Sequence, residues 1–290
     1  MSNGLRLRET YRFPRAATVD RSDDILKIAA PLLRANVPPG LLVDLSQLER
    51  VDSFGVTVLA ACFHSLISSG IPGSVRRPAK EEVHLQLLDM GLYESIGIGG
   101  RFEPRRPSRD RVDLVHIRAL EPEFIDSLLD FLERMQPFEE GLRPSMRMAL
   151  LELIQNFSEH SQASLGAWVT GQFSPQPKRI TLSVLDSGIG IPESLRTVPK
   201  YKNYGDERLI ELATRTGVTS VAKSSRGLGL STIRRFVEAN KGTLTILAGN
   251  GRIIFNPNGE VIGRKIPTVF HGTAVFLSLL PTERGLYALQ

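Results

Sequence analysis

Two glycine loops, one at the end of a strand pattern and one just ahead of a helical pattern, constrain the second half of this sequence more than any other feature. The first, Asp186-Ser-Gly-Ile-Gly190, ends the apolar run 180–185. An aspartate at a strand end can accept a hydrogen bond from an amino group, while glycines let the backbone close over a planar ligand. Alone, the same composition makes an ordinary turn. The second, Ser224-Ser-Arg-Gly-Leu-Gly-Leu230, places Gly227 and Gly229 just ahead of a helical pattern over 228–238. Glycines there let backbone N–H groups approach phosphate oxygens, and a helix N-terminus favours negative charge. No lysine follows in the Walker A position, and no strand leads directly in as a Rossmann turn requires.

Around these loops the periodicity alternates in blocks. Residues 121–135 carry Phe124, Leu128, Leu129 and Leu132 at helical spacing, and 146–160 carry Met146, Leu150, Leu153 and Phe157. Strand patterns follow at 167–173, 180–185, 243–247 and 272–279. Asn256-Pro-Asn-Gly259 marks a hairpin turn inside an insertion over 252–270. Runs of helices and runs of strands, without strict βαβ alternation, predict an α+β fold, with one helical layer on a mixed sheet. The first hundred residues differ. The short apolar run 41–45, an apolar helix over 56–68 and a helix over 81–90 read as a small α/β domain. The Arg- and Pro-rich stretch that follows reads as a linker. The expected division is 1–105, a linker at 106–111, and a second domain over 112–290.

In the helix that contains Leu151-Glu-Leu-Ile-Gln-Asn156, the residues Glu152, Asn156 and His160 are spaced i, i+4, i+8 and share one face. That face lies roughly 100° from the apolar stripe, at the edge of a core. A carboxylate there can serve as a general base, and an amide oxygen can ligate a hard cation such as Mg²⁺. A solvated helix face has the same pattern.

Taken in order, these pieces resemble the GHKL ATPases, the Bergerat-fold superfamily of gyrase, MutL, sensor histidine kinases and anti-sigma serine kinases. Glu152-Leu-Ile-Gln-Asn156 is similar to the N box, Asp186-Ser-Gly-Ile-Gly190 to the first glycine box, and Arg226-Gly-Leu-Gly-Leu230 to the second. Gly272-Thr273 is similar to the closing Gly-Thr element. The resemblance covers roughly residues 112–283 and implies a Bergerat-type sandwich that binds ATP with Mg²⁺. It implies that Asn156 ligates Mg²⁺ and that Asp186, with Gly188, Gly190 and Thr273, receives the adenine. Gly227, Leu228, Gly229 and Leu230 wrap the phosphates, and Glu152 activates water or a hydroxyl. Residues 193–225 are the implied ATP lid, with Lys200, Lys202, Arg208, Arg215 and Lys223 as cations able to reach the γ-phosphate.

The first domain resembles the STAS fold of anti-sigma antagonists. The residues are Leu42-Val-Asp-Leu-Ser-Gln-Leu-Glu-Arg-Val-Asp-Ser-Phe-Gly55 and Leu88-Asp-Met-Gly-Leu-Tyr-Glu-Ser-Ile96, with Phe54 where that family has a small residue. The resemblance implies Ser53 as a phosphoacceptor. Together the two point to an ATPase or protein-serine kinase in bacterial signalling by partner switching. Its expected partners are ATP and a STAS-like or regulatory protein, with a homodimer also open. A nucleotide-gated interaction module without catalysis is the alternative. A gyrase- or MutL-type clamp is the other, though little chain follows the last strand for a transducer domain. None of the five histidines sits in the phosphoacceptor pattern of histidine kinases.

The remaining composition narrows the classes. The net charge of +5 admits nucleic acid, but no basic motif interleaved with aromatics accompanies it, so solvated surface is the better reading. One cysteine, Cys62, excludes a disulfide framework and any multi-cysteine zinc site. The most apolar stretch, 56–63, falls far short of the roughly 20 residues that span a bilayer. The start of the chain has no secretory signal. A cytoplasmic location is expected.

Overall fold

The computed structural model describes residues 9–97, 109–118, 122–160, 166–218 and 229–281, with side chains except at 155–160. The first part of the chain runs β1 (Thr10–Arg12), β2 (Ala16–Ala17), α1 (Ser22–Leu33), β3 (Leu41–Asp44), β4 (Arg50–Val51), α2 (Ser53–Ser68), β5 (Gly73–Arg76), α3 (Glu81–Asp89) and α4 (Leu92–Ser95). Strands β1, β3 and β5 form a parallel sheet in that order, and β2 pairs with β4, also parallel.

The second part continues with β6 (Arg111–Ile117), α5 (Pro122–Met135), α6 (Leu142–His160), β7 (Ala167–Pro175), β8 (Lys178–Asp186), α7 (Gly190–Arg196), α8 (Asp206–Ala213), α9 (Gly229–Ala239), β9 (Thr243–Phe255) and β10 (Val261–Leu279). Its five strands lie in the order β6-β7-β8-β10-β9. Where the sequence suggests a mixed sheet, each of these pairings is antiparallel. The parallel pairs belong to the first part of the chain. The insertion folds as the outer half of the β9–β10 hairpin, with Phe255 opposite Val261 across the Asn256–Gly259 turn.

Side-chain alternation explains how the large sheet is covered. Leu182 and Val184 of β8, with Val275 and Leu277 of β10, point into one core with Leu128 and Leu132 of α5, Leu150 and Leu153 of α6, and Phe236 of α9. Their neighbours in the strands point the other way. Leu185, Ala274 and Phe276, together with Trp168 of β7, join a second core with Ile25 and Ala29 of α1 and Val56 and Phe63 of α2. That core also takes in Leu41 and Val43 of β3. Burial on both faces is why these strands read as nearly continuous apolar runs.

Helix α2 is buried over most of its length, and its apolar residues run around the helix rather than along one stripe. Its Thr57 Oγ1 lies 2.9 Å from Ser183 Oγ of β8, both buried. Thr57 Oγ1 also lies 2.8 Å from the Phe54 carbonyl oxygen, to which it donates, so Ser183 is the donor between the hydroxyls. Further polar ties cross the same seam. Arg252, nearly buried, donates to Ser22 Oγ at 2.8 Å and Asp23 Oδ1 at 3.1 Å, and Gln86 donates to Gln172 Oε1 at 3.2 Å. Replacing Thr57 with Val keeps the volume but leaves Ser183 Oγ without its acceptor. A loss of about 1–3 kcal/mol in denaturant unfolding is expected, with the Thr57→Val/Ser183→Ala double variant recovering part of it. Additive losses would show that the two hydroxyls do not interact.

Candidate functional site

Strand β8 lies between β7 and β10 and carries Asp186 at its carboxyl end, opposite Ala167. Leu185, one residue earlier, is opposite Ala274, so Gly272 and Thr273 pass beside Asp186. Asp186 is 3% exposed. Its Oδ1 accepts the Gly188 N–H at 2.6 Å and its Oδ2 accepts the Thr273 N–H at 3.0 Å. Thr273 Oγ1 in turn accepts the Ile191 N–H at 3.2 Å, which ties the first turn of α7 to β10. Residues from the first glycine loop and from the distant Gly272-Thr273 pair thus meet within one hydrogen-bonded knot.

The glycines are required by space. Gly190 has φ +78°, and a Cβ there would lie 2.6 Å from the Gly272 carbonyl oxygen. Gly272 has φ +108°, and a Cβ there would collide with the carbonyl oxygen of Asp186. Any larger residue at either position would push apart the two backbone segments that frame Asp186. Gly188 is buried and contributes its N–H.

Burial pushes the Asp186 carboxyl up to about 7, with the Gly188 and Thr273 donors partly opposing the rise. Beside it, Ser187 Oγ is buried, with no hydrogen-bond partner among the described residues. In the sequence, the sole signal for Ser187 is its place between the aspartate and the first glycine. A buried acceptor poised near neutrality, with an unpartnered hydroxyl next to it, is suited to a polar planar ligand that brings its own donor and acceptor.

Gly229, the second glycine of the other loop, meets α6. Gly229 opens α9, and a Cβ there would stand 3.0 Å from the Cβ of Glu152 and 3.2 Å from the Ala149 carbonyl oxygen. Glu152 is half-buried at this contact, and Leu230 packs against the core beneath it. Glu152 and the N-terminus of α9 are therefore neighbours. Asn156 lies on α6 one turn beyond Glu152, but its side chain, like Gly227 and Leu228, lies outside the described residues. Among the described residues no three His, Cys, Asp or Glu side chains gather as a metal site. The carboxylate and amide of the α6 stripe are hard oxygen donors, the type Mg²⁺ takes.

The segment read as a lid is partly built structure. Leu195, Tyr201 and Leu209 form a small core of their own. Asp206, at the start of α8, pairs with Arg196 and accepts the Asn250 N–H at 2.8 Å, which fastens α8 to β9. Two of the five candidate cations are held at Glu211, Arg208 at 2.8 Å and Arg215 at 2.9 Å. Lys200 lies over the Tyr201 ring. Residues 219–228, which include Lys223, lie outside the described set.

Ser53 occupies the first turn of α2 and is fully buried, with no partner for its Oγ among the described residues. Asp52 caps that helix. Its Oδ1 accepts the Gly55 N–H and its Oδ2 the Val19 N–H, both at 2.9 Å, and burial raises it to about 6. A Cβ on Gly55 would collide with the Ala17 carbonyl oxygen. The loop is closed on all sides, so a kinase could reach Ser53 Oγ only after the end of α2 opened.

Residues 141–283 match the family described as histidine kinase-, DNA gyrase B-, and HSP90-like ATPase. No curated protein matches the chain. The matched span begins at the start of α6 and ends with β10, so it contains Glu152, Asp186 and the Gly272-Thr273 pair. No helix among the described residues is long and apolar enough to cross a membrane.

Proposed function

We propose that this chain binds Mg-ATP at the Asp186 knot and that Glu152 serves as the general base for attack on the γ-phosphate by water or a serine hydroxyl. The observation that carries the reading is the convergence on Asp186. One buried carboxylate is framed by two glycines that tolerate no Cβ, and the matched ATPase span encloses all three. Asp186 would accept from the adenine amino group, with Ser187 and Thr273 supplying further polar contacts. The N-terminus of α9, with Gly227 and Gly229, would hold the phosphates. Asn156 and the α6 stripe would hold Mg²⁺, which when bound neutralises phosphate charge.

The regulatory half of the proposal rests on the shared core. Helices α1 and α2 cover the face of the sheet opposite the ATPase helices, and Thr57 touches β8 three residues before Asp186. Whatever moves α2 also works on the strand that carries the site. This favours a signalling protein in which the STAS-like half and the nucleotide site sense each other. It supports equally a nucleotide-gated module that switches a protein partner without turnover. Incubation with labelled ATP, with and without cellular extract, separates the two: phosphate release or labelled protein marks catalysis, and tight binding alone marks the module.

The pH dependence of binding tests Asp186 directly. The ionised carboxylate accepts hydrogen bonds at both oxygens, whereas the acid offers a donor that the amino group cannot use. Its carboxyl is raised from the ordinary range to about 7, so ATP affinity should climb as pH rises through that value. In Asp186→Asn the climb should flatten, leaving only the titration of the nucleotide's own phosphates, and the preference for ATP over GTP should relax. A variant that keeps the parent's pH profile and base preference would remove Asp186 from the site.

A further inference from the structure

The three strands of the parallel sheet end at one level. Arg12 of β1 stands opposite Asp44 of β3, and Asp44 stands opposite Arg76 of β5. Equal register in neighbouring strands sets the three side chains on one face, at the carboxyl end of the sheet, where parallel sheets place their ligands. Asp44 has no exposed side-chain surface, while Arg12 is 54% and Arg76 56% exposed. Asp44 Oδ2 accepts from both, Arg12 Nε at 3.1 Å and Arg76 Nη1 at 3.2 Å. Its Oδ1 accepts the Ser46 N–H at 3.0 Å.

Two cations share one carboxylate, so one unit of positive charge is left over. Burial alone would raise the Asp44 carboxyl. The Ser46 hydrogen bonds and the two guanidinium groups outweigh it and hold Asp44 below the ordinary aspartate range, hence ionised. Each guanidinium spends one N–H on Asp44, and among the described residues neither has a second hydrogen-bond partner. The neighbouring charges neutralise each other, Arg15 with Glu49 and Arg77 with Glu81. What remains is a pair of planar forks anchored from beneath by a buried acid, with their free donors toward solvent. Anchoring removes side-chain entropy that free arginines would lose on binding.

We infer that Arg12 and Arg76 form a binding site for a phosphate group, a tetrahedral oxyanion held by both forks and separate from the nucleotide site. A planar carboxylate fills one fork. A phosphate presents oxygens in three directions and can meet two.

The test uses the full chain with inorganic phosphate, O-phosphoserine, a phosphoserine peptide and acetate. Calorimetry should show a single site for a phosphate-class probe and much weaker binding of acetate. Arg12→Gln and Arg76→Gln should each weaken that binding by about tenfold or more. Each single variant leaves one guanidinium on Asp44, so the buried carboxylate keeps a partner. ATP affinity should be unchanged in both, which places the loss outside the nucleotide site. In the parent, the Nε–H resonances of Arg12 and Arg76 should shift on titration with inorganic phosphate, a readout that needs no variant to fold. Tighter binding of inorganic phosphate identifies a free anion as the ligand, and tighter binding of the esters identifies a phosphorylated molecule. Either upholds the site. No binding to the parent, acetate binding as tight as phosphate, or equal binding in parent and variants overturns it.

Discussion

Glu152→Gln is expected to leave ATP bound and to cut phosphate release or serine phosphorylation by roughly 10²–10⁴-fold, the usual loss on removing a general base. The glutamine keeps the size and the hydrogen-bonding reach of the side chain but cannot take a proton. Its position makes the separation of binding from turnover meaningful. Glu152 is half-buried where α9 begins, against Gly229, and α6 carries it one turn before Asn156. The site that frames the base, around Asp186, belongs to β8 and β10 and is not touched by the substitution. Calorimetry with ATP and a phosphate-release assay on the same preparation decide it. A variant that turns over like the parent would reduce Glu152 to a packing residue of the α6–α9 contact. A parent with no turnover under any condition would favour the nucleotide-gated module.

Gly272→Ala is expected to destabilise the protein by about 3 kcal/mol or more and to abolish nucleotide binding even where the chain still folds. Two costs combine. The backbone at φ +108° is one that L residues rarely adopt, and the new methyl would strike the carbonyl oxygen of Asp186. Relief can come only by moving β10 away from β8. That breaks the Thr273 N–H bond to Asp186 and the approach of Gly190 to Gly272. Gly259 is the matched control. Its φ is +83°, but nothing lies within 4 Å of a Cβ there, because it sits in the exposed hairpin turn. Gly259→Ala should cost about 1 kcal/mol from conformation alone and leave ATP binding intact. Equal costs at the two positions, by thermal or denaturant unfolding, would show that the close approach of the strands contributes nothing.

Much of the second half was legible because its signals are local. The helical stripes of α5 and α6 and the glycines at the ends of β8 and at the start of α9 each follow from periods and conformational needs that a short window contains. The order of the boxes is local in the same sense, and the proposal of Glu152, Asp186 and Thr273 as site residues rests on it. Elements without such a signal are harder to read. Helix α1 carries Pro31 near its end, a residue that ordinarily marks a helix stop. Helices α7 and α8 lay hidden in a polar, basic stretch, and it took Asp206 bonded to Asn250 across 44 positions to show that this stretch is fastened to β9.

Sequence by itself determined which residues could carry chemistry, since a carboxylate at a strand end or on a helix edge is a matter of residue type and spacing. Tertiary structure alone decided how they are held and what they cost. The pairing of β8 with β10 sets Thr273 beside Asp186 and makes Gly272 irreplaceable, because that contact spans 87 positions and no window contains both partners. The burial that lifts Asp186 to about 7 and closes Ser53 beneath α2 comes from the whole packed surround. The same is true of the two arginines that share Asp44, each 32 positions away along the chain and adjacent only in the sheet. The second face of the large sheet was the least readable feature. Alternating apolar residues say that both faces of a strand are buried, but not by what, and the covering helices came from a part of the chain that reads as a domain of its own.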